Sequence, residues 1–187
     1  HGGTPLLAMP KSLNRDEVLR NLRRFYPETE RRAGREADVI VTIHIGQDGA
    51  SQMGLQDIAM FRTFEKSSVL YPADAVAAGA LLEKVLKASG INYLRATRAA
   101  LPVIYKTTQR FVVGGSNVLR KSAQDVATIV AAGVTLHEAL KAAEQLAKKK
   151  INVRVIDLYS IKPIDTATLK LVARQTKHLI VVEDHYP

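Results

Sequence analysis

The chain has 187 residues, 47% apolar and 24% charged, a balance that excludes a disordered polymer and is long enough to bury a core in one domain or two small ones. It has no cysteine, which excludes disulfides, thiolate metal sites and a cysteine nucleophile. The net charge of +9 is spread along the chain, about +2 over residues 1–43 and about +7 over the rest; with 5% aromatic residues and no tryptophan this argues against a nucleic-acid interface and for a basic surface able to steer anions.

At the N-terminus, His1-Gly2-Gly3-Thr4 shows no basic stretch leading into an apolar core, so no signal peptide is expected. No apolar run approaches the roughly 18 residues of a membrane span, so no membrane insertion is expected either. Residues 4–13 hold two prolines and no periodicity and read as an extended arm. Asn14 is placed to cap a helix from Arg15 to Phe25, with Val18, Leu19, Leu22 and Phe25 on one face and Pro27 ending it. A short helix over Glu28 to Ala33 closes at Gly34, and Val39 to Ile45 alternates as a strand. Gly46-Gln47-Asp48-Gly49 is a turn signal.

Beyond it, a helix is expected from Met53 to Phe61 and a short strand over Val69 to Tyr71, ended by Pro72. Asp74 is placed to cap a helix that turns Val76, Ala80, Leu81 and Val85 inward and finishes near Gly90, followed by a strand over Ile91 to Ala96. Arg110–Val113 and Asn117–Arg120 are expected to form a hairpin around Gly114-Gly115. Val126 to Ala132 is an apolar run without alternation, the mark of a strand buried on both faces. Thr135 to Lys149 is an amphipathic helix, Val153 to Leu158 a strand, Asp165 a cap for a helix carrying Leu169, Val172 and Ala173, and Leu179 to Val182 a last strand. This alternation predicts a parallel three-stranded sheet with right-handed crossovers.

Several stretches in this order resemble the transketolase family: residues 46–62, Tyr71-Pro-Ala-Asp74, Leu94-Arg-Ala-Thr-Arg98, Gly133-Val-Thr-Leu-His-Glu-Ala-Leu140, Ser160-Ile-Lys-Pro-Ile-Asp165 and Glu183-Asp-His-Tyr186. The resemblance implies an α/β fold of two truncated, mostly parallel half-domains. Residues 46–113 correspond to the later half of the domain that holds the pyrimidine ring of thiamine diphosphate, and 114–187 to the first half of the C-terminal domain. It implies that Asp48 hydrogen-bonds hydroxyls of a sugar phosphate, that Arg98 clamps its phosphate, and that Gln52 sits near cofactor and substrate. Each residue type also has a plain structural use: Asp48 as a turn residue before Gly49, Gln52 at a helix N-terminus, Arg98 as a solvated charge after a strand. His137 and His185 lie in matching stretches as structural or surface residues. The family's substrate histidine, eight residues before the aspartate, corresponds to Ile40, so His44 is not its equivalent.

Residues 25–49 resemble the start of a TonB-type C-terminal domain, with Tyr26-Pro27, a short basic helix ending Ala33-Gly34, an alternating strand and an Asp-Gly turn. The resemblance covers about residues 12–49. It implies a short helix-strand N-terminal segment, residues 1–45, spliced to the transketolase-like part at Gly46–Gly49. That gives three expectations: a chimeric fragment inactive in ketol transfer, an envelope binding module acting through the N-terminal segment, or one subunit of a split transketolase. Inactivity follows from the resemblance: the glutamate that protonates the pyrimidine ring and the aromatics that stack on it belong ahead of Asp48, where residues 1–43 do not match. The domain for the cofactor's diphosphate and divalent metal is not matched at all, so thiamine diphosphate is not expected to bind to this chain alone. The resemblance further implies a cytoplasmic location, and exposed sheet edges predict a homo-oligomer.

Overall fold

The computed structural model describes residues 40, 41, 44, 45, 54, 56–97, 100–176 and 178–185. The expected helices over Arg15–Phe25 and Glu28–Ala33, the Gly46–Gly49 turn, and the candidate residues Asp48, Gln52 and Arg98 lie outside the described residues.

The first sheet combines β1 (Ile40–Val41), β3 (Ser67–Leu70), β4 (Ile91–Leu94) and β9 (Ser160–Lys162) in the order β1-β4-β3-β9. β1, β4 and β3 are parallel, whereas β9 comes from the later part of the chain and runs antiparallel to β3. β2 (His44–Ile45) pairs in parallel with β5 (Ala96–Thr97), and this pairing keeps the offset of β1 and β4: Ile40 faces Asn92 and His44 faces Ala96. The strand expected over Val39 to Ile45 is therefore present at four described positions, in register with residues 92–97. The strand expected over Ile91 to Ala96 is interrupted at Arg95, whose N–H bonds the Leu70 carbonyl at 2.8 Å.

Two helices belong to this half. α1 (Asp57–Arg62) buries Ile58 and Phe61, and the Phe61 ring stacks on Tyr93 with centroids 4.0 Å apart. α2 (Ala75–Val85) begins at Asp74, as expected, whose carboxylate accepts the Ala77 N–H at 2.8 Å; Ala77, Leu81 and Val85, one turn apart, are buried.

The second sheet has the order β10-β7-β8-β6, built from β6 (Asn117–Arg120), β7 (Ala127–Ala131), β8 (Val153–Asp157) and β10 (Leu179–Val182). β10, β7 and β8 are parallel, and every residue of β7 is buried, which accounts for its unalternating sequence. α3 (Val134–Lys148) and α4 (Thr166–Thr176) follow β7 and β9; Asp165 accepts the Thr168 N–H at 3.0 Å at the start of α4.

Two expectations are corrected. The hairpin around Gly114-Gly115 does not form: β6 takes β8 as its antiparallel partner, which makes the sheet four-stranded rather than three-stranded. The cause is local. Phe111 packs edge-on between the rings of Tyr105 and Tyr159, at 4.9 and 5.0 Å between centroids, and Gly115 N–H closes a turn on the Val112 carbonyl at 3.0 Å, so residues 110–113 have no free edge to offer.

The core does not divide where the sequence changes family motif. Ala73 packs with the α3–β7–β8 cluster, Tyr159 with the α2 cluster, and Ala132 with the Phe61–Tyr93 cluster. The two halves thus interdigitate along a seam, and β9 crosses it.

Candidate functional site

Open α/β sheets take ligands beyond the carboxyl ends of their parallel strands. In the two-stranded parallel sheet that continues the register of β1 and β4, β2 and β5 end side by side, with Ile45 facing Thr97. Arg98 directly follows Thr97, and Asp48 follows Ile45 by three residues, within about 11 Å of extended chain. In sequence both candidate residues therefore follow the same pair of strands, and both lie outside the described residues.

Immediately before β5 in the chain, Arg95 centres a buried charge cluster. Arg95, fully buried at the break between β4 and β5, makes an ion pair with Asp57 of α1 at 3.1 Å and donates from Nη1 to Asp184 at 2.9 Å. Its guanidinium also lies 4.6 Å from the centre of the Tyr71 ring. Tyr71 donates its hydroxyl to the other oxygen of Asp184 at 2.9 Å, and Tyr93 donates to Asp57. Burial foremost, and then the adjacent carboxylates, raise both phenol pKa values, which keeps them as donors. Burial alone would raise the Asp184 pKa, but His185, Arg95 and Tyr71 together outweigh it and hold the carboxyl below its usual range.

A second cluster is built around Asp74, three residues after Tyr71 in the chain. Asp74, besides capping α2, accepts the N–H groups of Ile104 and Tyr105 at 2.8 and 2.9 Å. Tyr105 donates its hydroxyl to the buried Asp157 at 2.6 Å. His137, buried on α3, has Nε2 at 2.7 Å from the Ala73 carbonyl oxygen, and the His185 ring lies 3.6 Å from both Glu183 and Asp184. Gly133 (φ +55°) lets the chain pass the Tyr71 ring, where a Cβ would fall 2.1 Å from ring carbons.

These contacts hold and orient. Asp57 ties α1, which follows the 48–52 segment, to Arg95, which precedes Arg98 by three residues, and Asp184 fastens both to the second sheet. Among the described residues no three His, Cys, Asp or Glu side chains converge to hold a metal ion, so the described residues offer no donor set for a cofactor's metal. No described helix is long and apolar enough to cross a membrane.

Composition and spacing singled out none of Arg95, Asp57, Tyr71, Tyr105, Asp157 or Asp184, and marked Asp74 only as a helix cap. A signal was present for some: Arg95 places a charge inside the strand expected over Ile91 to Ala96, and Asp57, Tyr71, Asp74, Arg95 and Asp184 all fall inside stretches that carry the family resemblance. For Tyr105 and Asp157 the signal is tertiary only.

Two family models match the chain: the transketolase pyrimidine binding domain over residues 25–104 and the transketolase C-terminal domain over residues 115–187. Human transketolase is 47% identical over 145 residues, 77% of this chain and 23% of that protein, and transketolase-like protein 1 of Macaca fascicularis is 46% identical over 146 residues, 78% and 24%. The chain thus spans about a quarter of the length of the curated relatives it matches. Among solved structures, a split-gene transketolase described as an inactive β4 tetramer matches with a TM-score of 0.74 and 34% identity over 80% of this chain and 49% of that one. A Pichia stipitis transketolase mutant matches in fold with a TM-score of 0.64 at 21% identity, over 79% and 23%. The pyrimidine-domain match runs through Gly46–Gly49, where a splice was expected, and takes in the TonB-like stretch from residue 25 onward; neither these matches nor the pairing of β1 and β2 with β4 and β5 supports a TonB-type segment or a splice.

Proposed function

We propose that this chain, which carries transketolase pyrimidine-binding and C-terminal domains over a fragment of its relatives' length, serves as the sugar-phosphate-binding subunit of a split transketolase and performs no ketol transfer by itself. The observation that carries this reading is the likeness, at 34% identity and a TM-score of 0.74, to a split-gene transketolase whose β4 tetramer is inactive. The reading gives Arg98 the substrate phosphate, Asp48 the sugar hydroxyls and Gln52 a place near the cofactor. Thiamine diphosphate, when bound, supplies the carbanion chemistry of ketol transfer. This chain's part is to present anion- and hydroxyl-binding groups at the ends of β2 and β5 and to hold those ends rigid through Arg95, Asp57 and Asp184.

Titration calorimetry with a ketose phosphate tests the substrate side. Measurable binding is expected, weakened about ten- to hundredfold by Arg98→Ala, the worth of a charge-assisted phosphate contact. An Arg98→Ala chain that binds as tightly as the parent removes the assignment. Titration with thiamine diphosphate should show no binding to the chain alone, since one polar contact cannot hold it; micromolar affinity would contradict the reading.

A further inference from the structure

The cluster around Asp157 has no part in the proposed substrate site, and its chemistry is unusual. Asp157 ends β8, is fully buried, and faces Asn117 of β6 in the strand register. Its Oδ2 accepts the Tyr105 hydroxyl at 2.6 Å, while its Oδ1 finds no donor among the described residues. Tyr105 belongs to the connector between the halves. Its own N–H, together with that of Ile104, is held by Asp74 at the start of α2. One connector residue therefore spans from a carboxylate of the first half to a carboxyl of the second, with the Phe111 ring edge-on against it.

An ionised carboxylate calls for donors on both oxygens, and a buried one with a single donor is costly. We propose that Asp157, Tyr105 and Asp74 form a proton-controlled latch on the connector, fastened while Asp157 holds its proton and slackened when it ionises and draws water to Oδ1. Burial pushes the Asp157 pKa up to about 7; the Tyr105 hydrogen bond pulls against this and the Asp74 charge adds to it. An acid whose pKa is raised by closure binds its proton more tightly in the closed form. Closure is therefore strongest below the ordinary carboxyl pKa of 3.8 and weakens as pH rises to about 7. The groups facing the latch are Asp74 from α2, Tyr105 from the connector, Asn117 from β6, Tyr159 beyond β8, and His137 of α3 through the Ala73 carbonyl.

The test is hydrogen exchange at the Ile104 and Tyr105 amides of the whole chain between pH 5 and 8, corrected for the intrinsic rate. Their protection should fall by up to about tenfold per pH unit to pH 7 and then level off. Asp157→Asn should flatten the profile. Protection that does not fall in the parent, or a fall that survives in Asp157→Asn and so belongs to another group such as His137, overturns the proposal. If Asp157→Asn does not fold, Tyr105→Phe decides: removing the donor to the ionised form should move the levelling point to higher pH, and an unmoved one overturns the latch.

Discussion

Arg95 shows how a single side chain organises this molecule. A guanidinium with no exposure persists only because two carboxylates and an aromatic face replace its water. Arg95→Met removes the cation between the buried Asp57 and the half-buried Asp184, leaving each with only a tyrosine hydroxyl as a donor from the cluster, and a loss of about 3 kcal/mol is expected in urea unfolding. A loss under about 1 kcal/mol would mean the cluster is incidental. Asp184 adds a pH signature. Its folded pKa is depressed, so its contribution is present above the ordinary carboxyl pKa and is lost as pH falls through the lowered value. Thermal melts between pH 2 and 5 should show this acid limb in the parent, reduced in Asp184→Asn. Two glycines offer opposite outcomes for one substitution. Gly133→Ala forces a Cβ into the fixed Tyr71 ring at a positive φ, for a loss of roughly 2–4 kcal/mol. Gly79→Ala on the open face of α2 meets nothing within 4 Å and should gain about 0.5–1 kcal/mol. The motif stretches are visible in sequence, but a charge in a strand gives no local sign of the cluster it centres, because its partners lie 38 and 89 residues away.

At the scale of elements, legibility followed locality. The unalternating Ala127–Ala131 strand, the amphipathic Val134–Lys148 helix and the Asp74 and Asp165 caps each carry their own local cause, and the sequence showed them. In the connector the hairpin expected over Arg110–Arg120 does not form, because nothing in residues 100–116 has a period: its shape comes from Asp74, Asp157 and the Tyr105–Phe111–Tyr159 stack. Asp74 makes the difference testable. Asp74→Ala removes the α2 cap and strands two connector N–H groups, one of them on the buried Tyr105. A loss of about 3 kcal/mol or more is expected, together with faster exchange of the Ile104 and Tyr105 amides. Loss of stability without faster exchange would confine Asp74 to capping. Of the candidate site, the sequence supplied residues through resemblance, while the charge cluster next to them in the chain came only from the packing of α1, β4 and the segment after β10.

For the whole molecule, the seam makes one body of what reads in sequence as two family segments, with β9 paired into the first sheet and Tyr71, Asp184 and Arg95 locked across it. The second sheet ends at β10, whose Leu179, Ile180 and Val181 are 41%, 48% and 60% exposed. An apolar edge of that kind favours association, and sedimentation should find a dimer or larger species; a clean monomer would contradict this. The proposal of a split-enzyme subunit is tested most directly by ketol transfer from a ketose phosphate to an aldose phosphate, with thiamine diphosphate and a divalent metal. The assay is run with the chain alone and again after mixing with the diphosphate-binding subunit of a split transketolase. Silence alone and activity on mixing, abolished by Arg98→Ala, is the predicted result; activity of the chain alone, or silence in every mixture, would contradict it.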